Sequence, residues 1–205
     1  MEAKSVMSKG RLEAFSDGVI AILITIMVLE LKVPHGVDLQ ALRPLLPVFL
    51  SYVLSFVYIG IYWNNHHHML HATDRINGKI LWANQHLLFW LSLIPFVTSW
   101  MGENHFAPLP TAVYGGALIM AALSYTILQN LIVAENGKSS KLAAAVGKDR
   151  KGLISLTLYA LAIPLAFVHQ GIAGGLYVLV ALIWFIPDRR IESKLHEEAP
   201  VEGRR

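Results

Sequence analysis

A hydroxyl and a carboxylate, Ser16 and Asp17, close the run Arg11-Leu-Glu-Ala-Phe15-Ser16-Asp17-Gly18, and in the next eleven residues, Val19 to Leu29, Thr25 is the one polar side chain. A carboxylate at the centre of a bilayer costs about 2.5 to 3.5 kcal/mol even on the lenient insertion scale, so it persists only against a partner or a watery cavity. A second polar group, Trp63-Asn64-Asn65-His66-His67-His68, ends another apolar stretch, and His71 and His86 follow it. Three chemistries fit these residue types. A satisfied network of Arg11, Ser16, Asp17, Asn64, His67 and His86 would clamp helices together, provided every buried member finds a partner. His67 and His71, spaced i, i+4, could chelate a transition metal, with His66, His68 and His86 as further ligands. Asp17 could also carry protons.

The elements that position these residues are membrane spans. Hydrophobic residues make up 55% of the 205-residue chain and charged residues 15%, against roughly 25% charged in soluble domains. The apolar residues fall in six blocks, Phe15–Val33, Leu46–Leu70, Ile80–Met101, Thr111–Ala134, Leu153–His169 and Ile172–Pro187. Each is close to the ~20 residues that carry an α-helix across ~30 Å of hydrocarbon. The expected fold is therefore an all-α integral membrane unit over residues 1–187, followed by a charged tail over 188–205. No block is left over for a separate catalytic domain.

Basic residues fix the orientation. With the N-terminus cytoplasmic, fifteen of the 17 lysines and arginines fall inside: Lys4, Lys9, Arg11, Arg75, Lys79, Lys138, Lys141, Lys148, Arg150, Lys151, Arg189, Arg190, Lys194, Arg204 and Arg205. Only Lys32 and Arg43 fall outside, so both termini face the cytoplasm of a cell-membrane protein. The net charge of +3 then reflects topology rather than nucleic-acid binding. A basic start before an apolar run also resembles a signal peptide, but Glu30-Leu-Lys32-Val-Pro34 offers no small-residue cleavage site. With no cysteine in the chain, disulfides and thiol metal sites are excluded.

On a helical wheel at about 100° per residue, Phe15, Gly18, Thr25, Ile26 and Leu29 fall within about 60° of Ile22, and Asp17 about 140° away. One face is a stripe of branched aliphatics with a single hydroxyl; the other carries Glu13 and Asp17. In depth, Ser16 and Asp17 share a level with the end of the second block and, about 9 Å into the third, with His86.

The residues Arg11-x-x-x-Phe15-Ser16-Asp17-Gly18, with the Ala-Ile-x-x-Thr-x-x-x-Leu pattern behind them, resemble the signature of the transmembrane protein 175 family of endolysosomal and prokaryotic potassium channels. The likeness covers the first helix closely and extends to the six-helix plan. It implies a homotetramer of six-helix subunits in membrane lipid, conducting potassium ions between four copies of the first helix, with Ile22, Thr25, Ile26 and Leu29 at the constriction. It also implies that Arg11, Ser16 and Asp17 hold that helix in place. Met27 stands where many relatives have another aliphatic.

Such a channel lacks the Thr-Val-Gly-Tyr-Gly run of carbonyl-lined filters. An aliphatic neck that is dewetted when closed, and that favours the more easily dehydrated ion when open, predicts a modest preference for potassium over sodium. Glu30 and Asp38, near the outer end, would raise the local cation concentration. No enzyme activity or cofactor is expected. The competing readings are a histidine-ligated intramembrane metalloenzyme, which would need about eight histidines in several boxes, and a proton-coupled carrier, for which no internal repeat is visible.

Overall fold

The computed structural model describes residues 8–137, 140, 142–143 and 150–185. The expected tail over 188–205 and the last two residues of the sixth apolar block lie outside them. The described residues hold α1 (Lys9–Leu29), a 3-10 turn (Leu39–Leu45), α2 (Leu46–His71), α3 (Gly78–Ser92), α4 (Ile94–Glu103), α5 (Pro108–Asn136), α6 (Arg150–Val168) and α7 (Gln170–Phe185). Five segments are long and apolar enough to cross a membrane, with Gly78–Glu103 counted as one, and Gln170–Phe185 is a shorter apolar helix. The chain is thus an all-α, multi-pass membrane protein.

Local sequence explains the departures from the expected spans. The third block is not one helix: α3 and α4 meet at Leu93, and Pro95 occupies the first turn of α4. Proline has no N–H to give to the carbonyl four residues back, so it begins a helix more readily than it continues one. The first helix starts and stops earlier than the apolar block. Its start is tied down by Lys9 Nζ, which donates to the His71 carbonyl at 2.7 Å. Its end is set ahead of Pro34, which disfavours helical backbone at the residue before it. A single residue, His169, joins α6 to α7, and its Nδ1 accepts from the Gly171 N–H at 3.2 Å.

The spans, with α3 and α4 running on as one, alternate up and down, which sorts the loops into two ends. At the basal end α1 begins, α2 ends and the α2–α3 loop meets the end of α5, where Asn136 Oδ1 accepts from the N–H groups of Asp74 and Arg75. At the distal end α1 and α4 finish together. Helix α1 rests on α2, α3 and α4, while α5 packs against α3, α4, α6 and α7. Three fully buried tyrosines, Tyr58, Tyr114 and Tyr177, fill the centre. Their hydroxyls are all engaged: Tyr58 donates to the Tyr177 carbonyl at 2.6 Å, Tyr177 to the Thr111 carbonyl at 3.0 Å, and Tyr114 bonds Ser55 Oγ at 2.9 Å.

Candidate functional site

Helix α1 has two faces of different character. Leu12, Ser16, Ile20, Leu23 and Met27, spaced three or four apart, are buried against its neighbours. Phe15, Ile22, Ile26 and Leu29 stand on the other side, with Ile22 56% and Leu29 78% exposed. The exposed stripe also holds Thr25, whose hydroxyl donates to the Ile22 carbonyl at 2.9 Å. With its hydrogen engaged in the helix, the Thr25 oxygen turns its lone pairs outward. The four residues expected at a constriction thus lie together on one uncovered stripe.

On the buried face, His66 Nε2–H donates to Asn84 Oδ1 at 2.7 Å, Asn84 Nδ2 donates to Ser16 Oγ at 3.0 Å, and Ser16 donates to the Leu12 carbonyl at 2.9 Å. The bonds run head to tail, so each donor meets an acceptor across α2, α3 and α1. His66, Asn84 and Ser16 are all buried. Asp17 is not part of this chain. Its carboxylate accepts from the Trp63 indole N–H at 3.0 Å in a half-buried position, and the Trp63 ring stacks on His67, with centroids 6.0 Å apart.

The structure corrects the membership of the polar network. The Arg11 and Asn64 side chains are exposed and make no hydrogen bond or ion pair among the described residues. His67 is exposed and meets Asp17 only through Trp63. His86 lies on the outer side of α3, where it accepts from Trp90 Nε1–H at 3.0 Å. In their place stand His66 and Asn84, with Trp63 as the partner of Asp17. The cause is helical phase: His66 lies seven residues after Ile59 and eleven after Ser55, on the buried face of α2, whereas Asn64 and His67 lie off it. Asn84 sits between Ile80 and Leu88 on the buried face of α3. A same-face test on the buried aliphatics would have selected both.

His67 and His71 lie with ring centroids 6.1 Å apart. Among the described residues no three histidine, cysteine or acidic side chains are placed to hold a metal ion.

The distal ends of α1 and α4 form a second charged locus. Lys32 Nζ donates to Glu103 Oε1 at 2.6 Å, and Glu30 Oε2 accepts from Ser99 Oγ at 3.0 Å. Glu103, by hydrogen bond and charge, holds the Lys32 amine above its ordinary range. A Cβ on Gly102 would stand 2.8 Å from Val48 Cα, so glycine there lets α4 close on α2 beside this pair. A half-open cavity of about 750 Å³ adjoins it, with Glu30, Lys32, Glu103 and His105 around apolar Leu46 and Phe49.

Comparison with known proteins adds four relationships. Residues 11–95, the stretch holding α1, α2, α3 and Trp63, match the family described as the endosomal/lysosomal potassium channel TMEM175. A protein named potassium channel from Chryseobacterium sp. (strain P1-3) is 58% identical over 93% of this chain and 100% of its own length. Another of that name from Streptomyces collinus is 32% identical over 85% of this chain and 90% of its own. The crystal structure of a lysosomal potassium-selective channel TMEM175 homolog from Chamaesiphon minutus superposes with a TM-score of 0.74, at 27% identity, covering 93% of this chain and 98% of that one.

Proposed function

The chain belongs to the TMEM175 family, and from that premise we propose that it forms a potassium-selective cation channel whose pore is lined by the exposed stripe of α1. The observation that carries this reading is the two-sidedness of α1. Ser16 and Asp17 bond inward to α3 and α2, and Ile22, Thr25, Ile26 and Leu29 face outward, exposed among the described residues. Four copies about an axis would bring these residues into concentric rings. Ile22 and Ile26 would form an apolar neck that expels water when narrow, and Thr25 would supply its outward lone pairs between them. Without a carbonyl filter, the neck selects by ease of dehydration, so potassium is preferred modestly over sodium. Lipid surrounds the assembly.

The positive-inside pattern places both termini, and the tail over 188–205, in the cytoplasm of a cell-membrane protein. The basal end is then the cytoplasmic end and the distal end the outer one. The Ser16–Asn84–His66 bonds and the Asp17–Trp63 bond act as braces for the pore helix.

Purified protein reconstituted in liposomes tests the function directly. Potassium flux should exceed sodium flux under equal gradients, and mass measurement in mild detergent should give four chains. Equal flux of both ions, or none, would overturn potassium selectivity or the channel itself, and a clean monomer would remove the central pore.

A further inference from the structure

The outer end of the chain is not electrically balanced. It carries the carboxylates Glu30, Asp38 and Glu103 against the cations Lys32 and Arg43. Lys32 and Glu103, 2.6 Å apart, cancel one another. Asp38 and Arg43 belong to the same linker, where Asp38 caps the 3-10 turn through the Ala41 N–H at 3.0 Å, and they offset in sign. Glu30 is the surplus: its carboxylate accepts from the neutral Ser99 hydroxyl, and Lys32, whose amine also feels its charge, is ion-paired with Glu103. A separate observation adds to it. Both α1 and α4 end here with no basic residue in the last turn, so the partial negative charge of two helix C-termini faces the same mouth.

We propose that Glu30 makes the outer mouth cation-attracting, with the Lys32–Glu103 pair setting how much of its charge an approaching potassium ion feels. The inference rests on the tetrameric channel reading and its orientation, and concerns conduction rather than a binding site. Four unit charges about 10 Å from the axis raise the local potassium concentration about threefold at 0.1 M salt, where the Debye length is about 10 Å. At 1 M, with a Debye length of about 3 Å, the same ring changes it only about 1.1-fold. Potassium entry from outside should therefore exceed entry from inside at low salt, and the asymmetry should fade at high salt.

Single-channel potassium currents in planar bilayers, at symmetric 0.1 M and 1 M salt, test this. Glu30→Gln should lower inward current about threefold at 0.1 M and leave it within about 1.1-fold at 1 M, while Glu30→Asp keeps the wild-type value. Glu103→Gln should also lower inward current, because it leaves Lys32 unbalanced, and Lys32→Gln should raise it. The opposite signs from two partners of one ion pair are the discriminating result, since a merely structural bridge would give the same sign for both. Equal signs, or a Glu30→Gln effect that survives at 1 M, would overturn the proposal. An effect confined to outward current would overturn the orientation. Absence of potassium current in the wild type would instead overturn the channel reading on which it rests.

Discussion

Replacing Asn84 by leucine tests the brace on α1 with no change in the number or branching of side-chain heavy atoms. Asn84 is fully buried and carries two bonds, so the variant leaves the His66 Nε2–H without its acceptor inside the bundle. Ser16 is less affected, since its hydroxyl still donates to the Leu12 carbonyl. An orphaned buried donor costs about 1 to 3 kcal/mol, and a loss of about 2 kcal/mol is expected for Asn84→Leu. His66→Phe removes the other partner and should cost a similar amount, because Asn84 Oδ1 is then unpaired. The double variant removes both ends of the bond and orphans neither, so it should cost about 2.3 to 3 kcal/mol, less than the sum of about 4 kcal/mol for the two singles. Interhelical polar couplings in lipid average about 0.6 kcal/mol and reach about 1.7. This bond is short and excluded from solvent, so a coupling of about 1 to 1.7 kcal/mol is expected. The assay is reversible unfolding in mixed micelles titrated with SDS, with both single variants and the double variant in one cycle. Additivity within about 0.3 to 0.5 kcal/mol would refute the reasoning, because it would mean that His66 and Asn84 do not act as a pair.

Three further outcomes follow from the geometry. Ile22→Asn exchanges an apolar ring for amides that hold water, so conductance should rise and the potassium-to-sodium permeability ratio from reversal potentials should fall, whereas Leu23→Asn, on the buried face, should lower expression. Thr25→Ala removes the outward lone pairs and should shift the permeability ratio with a smaller change in current; an unchanged ratio would show that this oxygen does not meet the ion. Trp63→Phe keeps an aromatic ring for His67 but removes the N–H that Asp17 accepts, and should cost about 1 kcal/mol in the same unfolding assay; a loss above about 3 kcal/mol would mean that Asp17 is a deeply buried charge.

The sequence carried the architecture well because the bilayer imposes a length and a polarity that few residues escape. The apolar blocks, the basic clusters and the stripe on α1 are one-dimensional patterns of this kind. Leu93 was harder to see: no charged residue interrupts the block around it, and the break depends on Pro95 beginning a new helix turn. The brace was legible in its level but not in its members. Depth along a helix follows from counting residues, and it put Ser16, the histidine run and α3 at one height. Which neighbours touch depends on rotation about each helix, and the run Asn64-Asn65-His66-His67-His68 presents polar atoms at every angle. Only His66 shares the face of Ser55 and Ile59, so tertiary phase decided among residues that composition could not rank.

That phase matters for conduction because of what lipid does not do. Around an apolar helix the acyl chains are as apolar as leucine, so hydrophobicity exerts little preference for one rotation of α1 over another. Directional bonds and close packing must set the angle. Ser16 precedes Ile22 by six residues, which places them about 9 Å apart along the axis and about 120° apart around it. The relay to Asn84 and His66 can therefore hold the helix on one side and leave Ile22 free on another. Trp63 and Asp17 add a second bond one residue on, and two bonds at different angles resist rotation better than either alone. An apolar neck depends on a radius finely set between wet and dry, so it needs such a brace more than a filter of fixed carbonyls would. In the proposed channel, polar residues that never meet the ion would thus govern the pore by fixing which face of α1 turns toward the axis.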